Sequence, residues 1–237
     1  MSGMPKGTTP ARRPLESEPR VRRGYFECRY GQLHVHNAIP PGGGFEEGTP
    51  LLCLHGAAGT GRAFLRFLPH AGRDRSVYAP DLPGCGESDP PPARPELRDY
   101  AAALGDFLDS MRLRRLDLVG YRAGALLAAE LTLLRTPQVR RLVMVSLPVA
   151  SEAACAQAPS SGLAEAAGRY PWRERLGRLA AQQTLLVRPK DEFWEALGRV
   201  RELLPGARVA DLPEHGGDLL ESGAPALAQA VRAFTTN

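Results

Sequence analysis

The chain has 237 residues, of which 43% are hydrophobic and 24% charged, with 30 Lys and Arg against 26 Asp and Glu. A chain of this length can bury roughly 70–75% of the surface of its unfolded state, so it needs no disulfide or structural metal to fold. The hydrophobic content argues against a disordered protein. No apolar run approaches the roughly 18 residues of a membrane span, so we expect no membrane partner.

The net charge of +4 lies entirely in residues 1–29, which hold seven basic and three acidic side chains. Proteins that bind nucleic acid carry their basic stripe on the folded domain. Because the rest of this chain is neutral, we expect no nucleic-acid partner. Residues 1–23 are rich in Pro and Arg, and they predict a disordered basic arm without the apolar segment of a secretory signal.

The cysteines and histidines give no pattern typical of a metal site or a disulfide framework. Cys28, Cys53, Cys85 and Cys155 have no CxxC spacing, which predicts reduced thiols in a cytoplasmic protein. His34 and His36 can share one face of a strand, but no thiol or carboxylate lies near them in the sequence, so we expect no metal there. The chain also has no dinucleotide-binding fingerprint, and we expect no cofactor.

Taken in chain order, the predicted elements alternate between short apolar strands and helices. Residues 24–30 and 32–38 alternate in polarity around Gly31 and predict an antiparallel hairpin. Further strands are predicted at 51–55, 76–80, 115–120, 139–147, 184–188 and 207–212. Helical periodicity is found at 62–71, 95–113, 122–135, 192–204 and 219–234. Nearly continuous hydrophobic strands that alternate with helices predict one three-layer α/β domain over residues 24–237, with a mostly parallel sheet.

Residues 148–183 interrupt this alternation. They contain no predicted strand and only weak helical signals, with Trp172 near their middle. An insertion between two strands, at the edge where such sheets bind ligands, predicts a reduced cap or lid.

Three glycine-bearing turns follow consecutive predicted strands. The first reads LHGAAG (54–59), the second DLPGCGESD (81–89) and the third VGYRAG (119–124). Glycines in the first turn let backbone amides face a pocket, and the amide of Ala57 could donate to an oxyanion. In the third turn, small residues at both ends let strand and helix cross closely, while the central side chain stands at the helix N-terminus.

These motifs and their order resemble the α/β-hydrolase superfamily over residues 24–236. The resemblance implies a three-layer α/β-hydrolase fold in which the central residue of the third turn is the nucleophile, usually Ser and sometimes Cys or Asp. This chain has Arg122 there. The resemblance also implies an oxyanion and ligand pocket, and the residues expected to line it are His55, Gly56, Ala57, Tyr121 and Ala123.

Arg122 changes the expected chemistry. A guanidinium has a pKa above 12, so it cannot act as a nucleophile or base at neutral pH. A cation among backbone donors at a helix N-terminus would favour a carboxylate, phosphate or enolate ligand. Alternatively, Arg122 pairs with an acidic side chain and fills the pocket.

The other two residues of a catalytic triad are also in question. Asp191 resembles the acid of the family, with Glu192 as the alternative, and His215 resembles its histidine, although the following Asp-Leu would align that position with Gly217. Ser88 and Ser146 lack the glycine-flanked elbow of a nucleophile, and we expect them to be structural. Cys85 lies in a glycine-rich loop that could make it reactive, but without a known His neighbour we expect it to be inert.

Three functional hypotheses remain open. In the first, a degenerate hydrolase binds a small carbonyl or anionic compound without catalysis. In the second, His215 and Asp191 act as a general base, and Arg122 and backbone amides stabilise an oxyanion in hydrolase or lyase chemistry. In the third, the protein binds a partner without catalysis. The sequence leaves the oligomeric state open.

Overall fold

The computed structural model describes residues 18–41, 48–149, 162–216 and 219–236, and within them a central sheet of eight strands. The strands are β1 (Arg20–Cys28), β2 (Gly31–Ile39), β3 (Leu51–Leu54), β4 (Val77–Pro80), β5 (Leu116–Tyr121), β6 (Val139–Val145), β7 (Thr184–Pro189) and β8 (Arg208–Leu212). Their order is β1-β2-β4-β3-β5-β6-β7-β8. The β1–β2 and β2–β4 pairs are antiparallel and the others parallel, which confirms the predicted hairpin and the mostly parallel sheet.

Helices cover both faces of the sheet. They are α1 (Phe67–Ala71), α2 (Leu97–Ser110), α3 (Ala123–Leu134), α4 (Gly162–Gly168), α5 (Trp172–Leu176), α6 (Leu197–Leu203) and α7 (Ala224–Thr235). On β5, Leu118 packs in the core under α2 and α3, whereas the next residue, Val119, packs in the core under α1 and α7. Alternation of this kind buries each central strand on both faces and produces three layers.

Several element boundaries differ from the predicted ones, and prolines account for two of them. The predicted helix at 62–71 is a 3₁₀ turn (Gly61–Phe64) followed by α1, whose Pro69 is tolerated only in the first turn of a helix. The predicted helix at 219–234 begins only at Ala224, again with a proline in its first turn. The predicted helix at 192–204 is divided into a 3₁₀ turn (Trp194–Ala196) and α6.

The predicted arm and cap are only partly described. Strand β1 begins at Arg20, so residues 20–23 belong to the hairpin rather than to the arm, and residues 1–17 lie outside the described residues. In the cap region, α4 and α5 are described, whereas residues 150–161, which include Cys155, are not. None of the helices in the described ranges is long and apolar enough to cross a bilayer.

Candidate functional site

The turn between β5 and α3 is the strained elbow that the sequence predicts. Arg122 has φ 53° and ψ −121°, a backbone conformation that residues other than glycine rarely adopt. A Cβ on Gly120 would lie 2.3 Å from the carbonyl oxygen of Gly124, and one on Gly124 would lie 2.2 Å from the carbonyl oxygen of Leu54. The two glycines therefore permit the close crossing of strand and helix. The side chain of Arg122 projects from this turn at the edge of the sheet.

The guanidinium of Arg122 is paired with Glu192. Its Nη1 lies 2.8 Å from Oε1 of Glu192, and Nη2 donates to Oε2 at 3.2 Å. Nε donates to the hydroxyl of Tyr121 at 3.1 Å. The guanidinium carbon also lies 5.5 Å from the ring centre of Tyr121 and 5.6 Å from that of Phe193. The structure thus shows the internal pairing that the sequence left open, with Glu192 rather than Asp191 as the partner.

Asp191 and His215 do not form the acid–histidine pair that the general-base hypothesis requires. Oδ1 of Asp191 accepts the amide of Phe193 at 3.0 Å, and the buried Oδ2 has no partner among the described residues. The imidazole of His215 packs on Gly223, where a Cβ would lie 2.8 Å from its Cγ. Gly217, the alternative position for the histidine, lies outside the described residues.

His55 and Gly56 shape the loop that faces the elbow. The buried imidazole of His55 donates from Nδ1 to the Gly56 carbonyl at 2.7 Å and accepts the Leu82 amide on Nε2 at 3.0 Å, so it links the first and second turns as a neutral ring. Burial lowers its pKa. A Cβ on Gly56 would lie 3.4 Å from Cβ of Arg122, which places this loop, with the partly buried Ala57, directly beside the elbow.

The surroundings of Ser88 and Cys85 fit structural roles. The hydroxyl of Ser88 donates to the Asp81 carbonyl at 2.7 Å and accepts the His34 amide at 2.9 Å. Burial raises the pKa of Cys85 to about 11, so its reactive thiolate form is scarce at neutral pH.

Ser146 has φ 51° at the end of β6, and its buried hydroxyl has no partner among the residues that the structure describes. Ser146 lines a cavity of about 20 Å³, together with Asp191, Phe193 and Trp194. The cavity has room for about one water molecule.

The sequence analysis missed the carboxylate beside the two histidines of β2. Nδ1 of His34 lies 3.0 Å from Oδ2 of Asp81, although the two residues are 47 positions apart. Asp81 also accepts the amides of Gly61 and Glu87, so its carboxylate links strand β2, the loop after β3 and its own loop after β4. The fold thus places a carboxylate beside the two histidines, and the reason for expecting no metal there does not hold. Only the register of β2 with β4 brings these groups together.

Comparison with known proteins gives matches over most of the chain. The family model of the α/β hydrolase fold matches residues 49–211. The chain is 29% identical, over 61% of its length, to the dihydrolipoyllysine-residue acetyltransferase component of the acetoin cleaving system of Pseudomonas putida, and 33% identical, over 43%, to 2-hydroxymuconate semialdehyde hydrolase of Pseudomonas sp. (strain CF600). The matches span only 39% of either relative's own length.

Among solved structures, naproxen esterase of Bacillus subtilis superposes with a TM-score of 0.71 at 21% identity, over 91% of this chain and 92% of that one. At this identity the superposition shows a shared fold.

Proposed function

The chain belongs to the α/β-hydrolase fold family, and from this premise we propose that it binds a small carbonyl or carboxylate compound at the elbow without forming a covalent intermediate. The observation that carries the proposal is the guanidinium of Arg122 at the position of the family's nucleophile, where it already holds a carboxylate. A guanidinium stays protonated at any physiological pH and cannot attack a carbonyl carbon.

The ion pair with Glu192 supports exchange with an external ligand. The Arg122 side chain is 33% exposed and that of Glu192 is 54% exposed. Ion pairs with this much solvent contact contribute about 0–1 kcal/mol, so a carboxylate ligand can replace Glu192 at low cost. The replacement would keep the two-point hydrogen bonding that guanidinium groups form with planar carboxylates.

The surroundings of Arg122 suit the apolar part of such a ligand. The rings of Tyr121 and Phe193 lie close to the guanidinium and limit the orientations of its plane. A conjugated carboxylate could contact these rings while its charge pairs with Arg122. The relative named 2-hydroxymuconate semialdehyde hydrolase, whose name includes a carboxylate and an aldehyde, motivates a conjugated dienoate as the probe.

The general-base hypothesis has weaker support. It needs His215 to be oriented by Asp191, and the described residues do not form that hydrogen bond. Among the contacts of the described residues, none favours a partner-binding role either. Binding without covalent catalysis therefore remains the function that the geometry supports best.

The test is calorimetric titration with sorbate (2,4-hexadienoate) and with its neutral methyl ester. We expect the wild type to bind sorbate and to discriminate against the ester. Arg122→Gln should lose affinity by about tenfold or more, the value of one charge-assisted hydrogen bond. Glu192→Gln removes the internal competitor and should bind more tightly than the wild type.

Glu221→Gln is the matched control, because Glu221 pairs with Arg66 in an exposed ion pair outside the elbow, and its sorbate affinity should equal that of the wild type. Equal affinity of the wild type and Arg122→Gln for sorbate, or a wild type that binds neither compound, would overturn the proposal.

A further inference from the structure

A second group of chemically active side chains lies outside the elbow. His34 and His36 lie two residues apart on β2 and so point to the same face of the sheet, and Asp81 directly follows β4, the neighbouring strand. Each of the three residues offers one ligand atom, and these atoms all lie within 4.8 Å of one another. The residues are only 1%, 7% and 2% exposed, respectively.

The hydrogen bonds of this cluster leave two ring nitrogens without partners. Asp81 accepts the amides of Gly61 and Glu87, as expected of an ionised carboxylate. Its bond to His34 places a proton on Nδ1, and an ion bound between Nδ1 and the carboxylate would displace that proton. Nε2 of His34 and Nε2 of His36 are both buried and have no partner in the described part of the chain. A buried polar atom without a partner is costly, so an ion bound by Nε2 of His36 would stabilise the fold.

The two histidine rings are close enough to share one ion. The two rings lie edge to face with centres 4.7 Å apart.

We propose that His34, His36 and Asp81 bind one divalent transition-metal ion of the zinc class. Imidazole nitrogens together with a carboxylate suit Zn²⁺ or Co²⁺ better than Mg²⁺ or Ca²⁺, which prefer oxygen ligands. Tetrahedral zinc holds its ligand atoms about 3.4 Å apart, so small side-chain rotations complete the site. Arg23 and Arg62 act on His36 as nearby positive charges, and for this reason we expect micromolar rather than tighter affinity.

The proposal is independent of the elbow chemistry and is tested by direct metal binding. The full chain, freed of any affinity tag and of metal, is titrated calorimetrically with Zn²⁺, and bound metal is counted by mass spectrometry after equilibrium dialysis. We expect one ion per chain for the wild type and at least about tenfold weaker binding for His36→Gln, because a ligand is lost. His70→Gln is the matched control, since His70 lies on α1 outside the cluster, and it should bind as the wild type does.

A second measurement does not depend on how the variants fold. Co²⁺ added to the wild type should displace the imidazole NMR signals of His34 and His36 and leave that of His70 in place. A wild type that retains no Zn²⁺, a His36→Gln variant that binds Zn²⁺ as well as the wild type, or Co²⁺ effects confined to other residues would each overturn the proposal.

Discussion

At the elbow, strand β5 and helix α3 can cross closely only because Gly124 has no Cβ atom. A Cβ on Gly124 would lie 2.2 Å from the Leu54 carbonyl oxygen and 2.5 Å from that of His55, both backbone atoms that cannot move aside cheaply. We expect Gly124→Ala to lower the free energy of unfolding by about 3 kcal/mol, measured by urea denaturation. The control is Gly198→Ala on α6, where a Cβ would meet nothing within 4 Å, and its stability should be unchanged or slightly raised. Equal losses in the two variants would contradict this account of the elbow.

The neutral ring of His55 makes stability depend on pH. Burial lowers the pKa of His55 in the folded protein, whereas in the unfolded chain the pKa stays near 6.5. Below that value the unfolded state binds more protons, so the stabilisation present at pH 7 is lost as the pH falls. Protonation would also remove the acceptor for the Leu82 amide.

Urea unfolding of the wild type at pH 7.5 and at pH 5.5 should therefore show a decrease in stability that is smaller in His55→Gln. His70→Gln serves as the control and should keep the wild-type decrease. An equal decrease in all three proteins would show that His55 does not carry the effect.

At the scale of elements, a buried ion pair holds the described part of the cap to the central helix of its layer. Glu130 on α3 accepts two hydrogen bonds from Arg175 on α5, at 2.9 and 2.7 Å, and one from the hydroxyl of Tyr170 at 2.9 Å. Its side chain is buried, whereas that of Arg175 is partly exposed. Removal of one partner of a buried pair leaves the other without compensation.

We expect Glu130→Ala to cost about 3 kcal/mol of unfolding free energy and to increase proteolysis near α4 and α5. Thermal denaturation and limited trypsin digestion measure the two effects. Glu221→Ala, which removes the exposed pair with Arg66, should change neither of them. A stable and protease-resistant Glu130→Ala variant would mean that apolar packing alone holds these helices.

The strands were predictable from the sequence because their signals are local. Each predicted strand overlaps an observed one, since short runs of residues buried on both faces leave a pattern within the run itself. The helix ends were less predictable. The positive φ of Arg122 makes it the cap of α3 rather than its first residue, and α7 begins later than its apolar periodicity suggests.

Contacts between distant residues left no signal in the sequence. The turns that carry Arg122, Asp191 and His215 could be found because each directly follows a strand or borders a glycine. Arg122 pairs with Glu192 and not with the adjacent Asp191 because of the side-chain directions in the loop after β7. The sequence alone does not fix these directions. Asp81 meets His34 only because β2 runs antiparallel to β4.

At the scale of the whole molecule, the fold brings the elbow and its surrounding loops to one edge of the sheet. The loops after β3, β5 and β7 meet there, and Arg122 contacts both Gly56 and Glu192. Asp191 and His215 lie on loops at the same edge but do not bond to each other. The chain therefore has the strained turn together with an Arg122–Glu192 ion pair at its centre.

This arrangement predicts that restoring a hydroxyl at the elbow does not restore hydrolysis. Arg122→Ser would place a nucleophile on a turn of the correct geometry, but a serine needs a positioned base, and the base needs an orienting acid. We expect no turnover of p-nitrophenyl acetate above the wild-type background and no labelling of this variant by a fluorophosphonate. The control combines Arg122→Ser with His215→Ala. Activity in the single variant that disappears in the double variant would show that His215 reaches the elbow and that catalysis was lost at residue 122 alone.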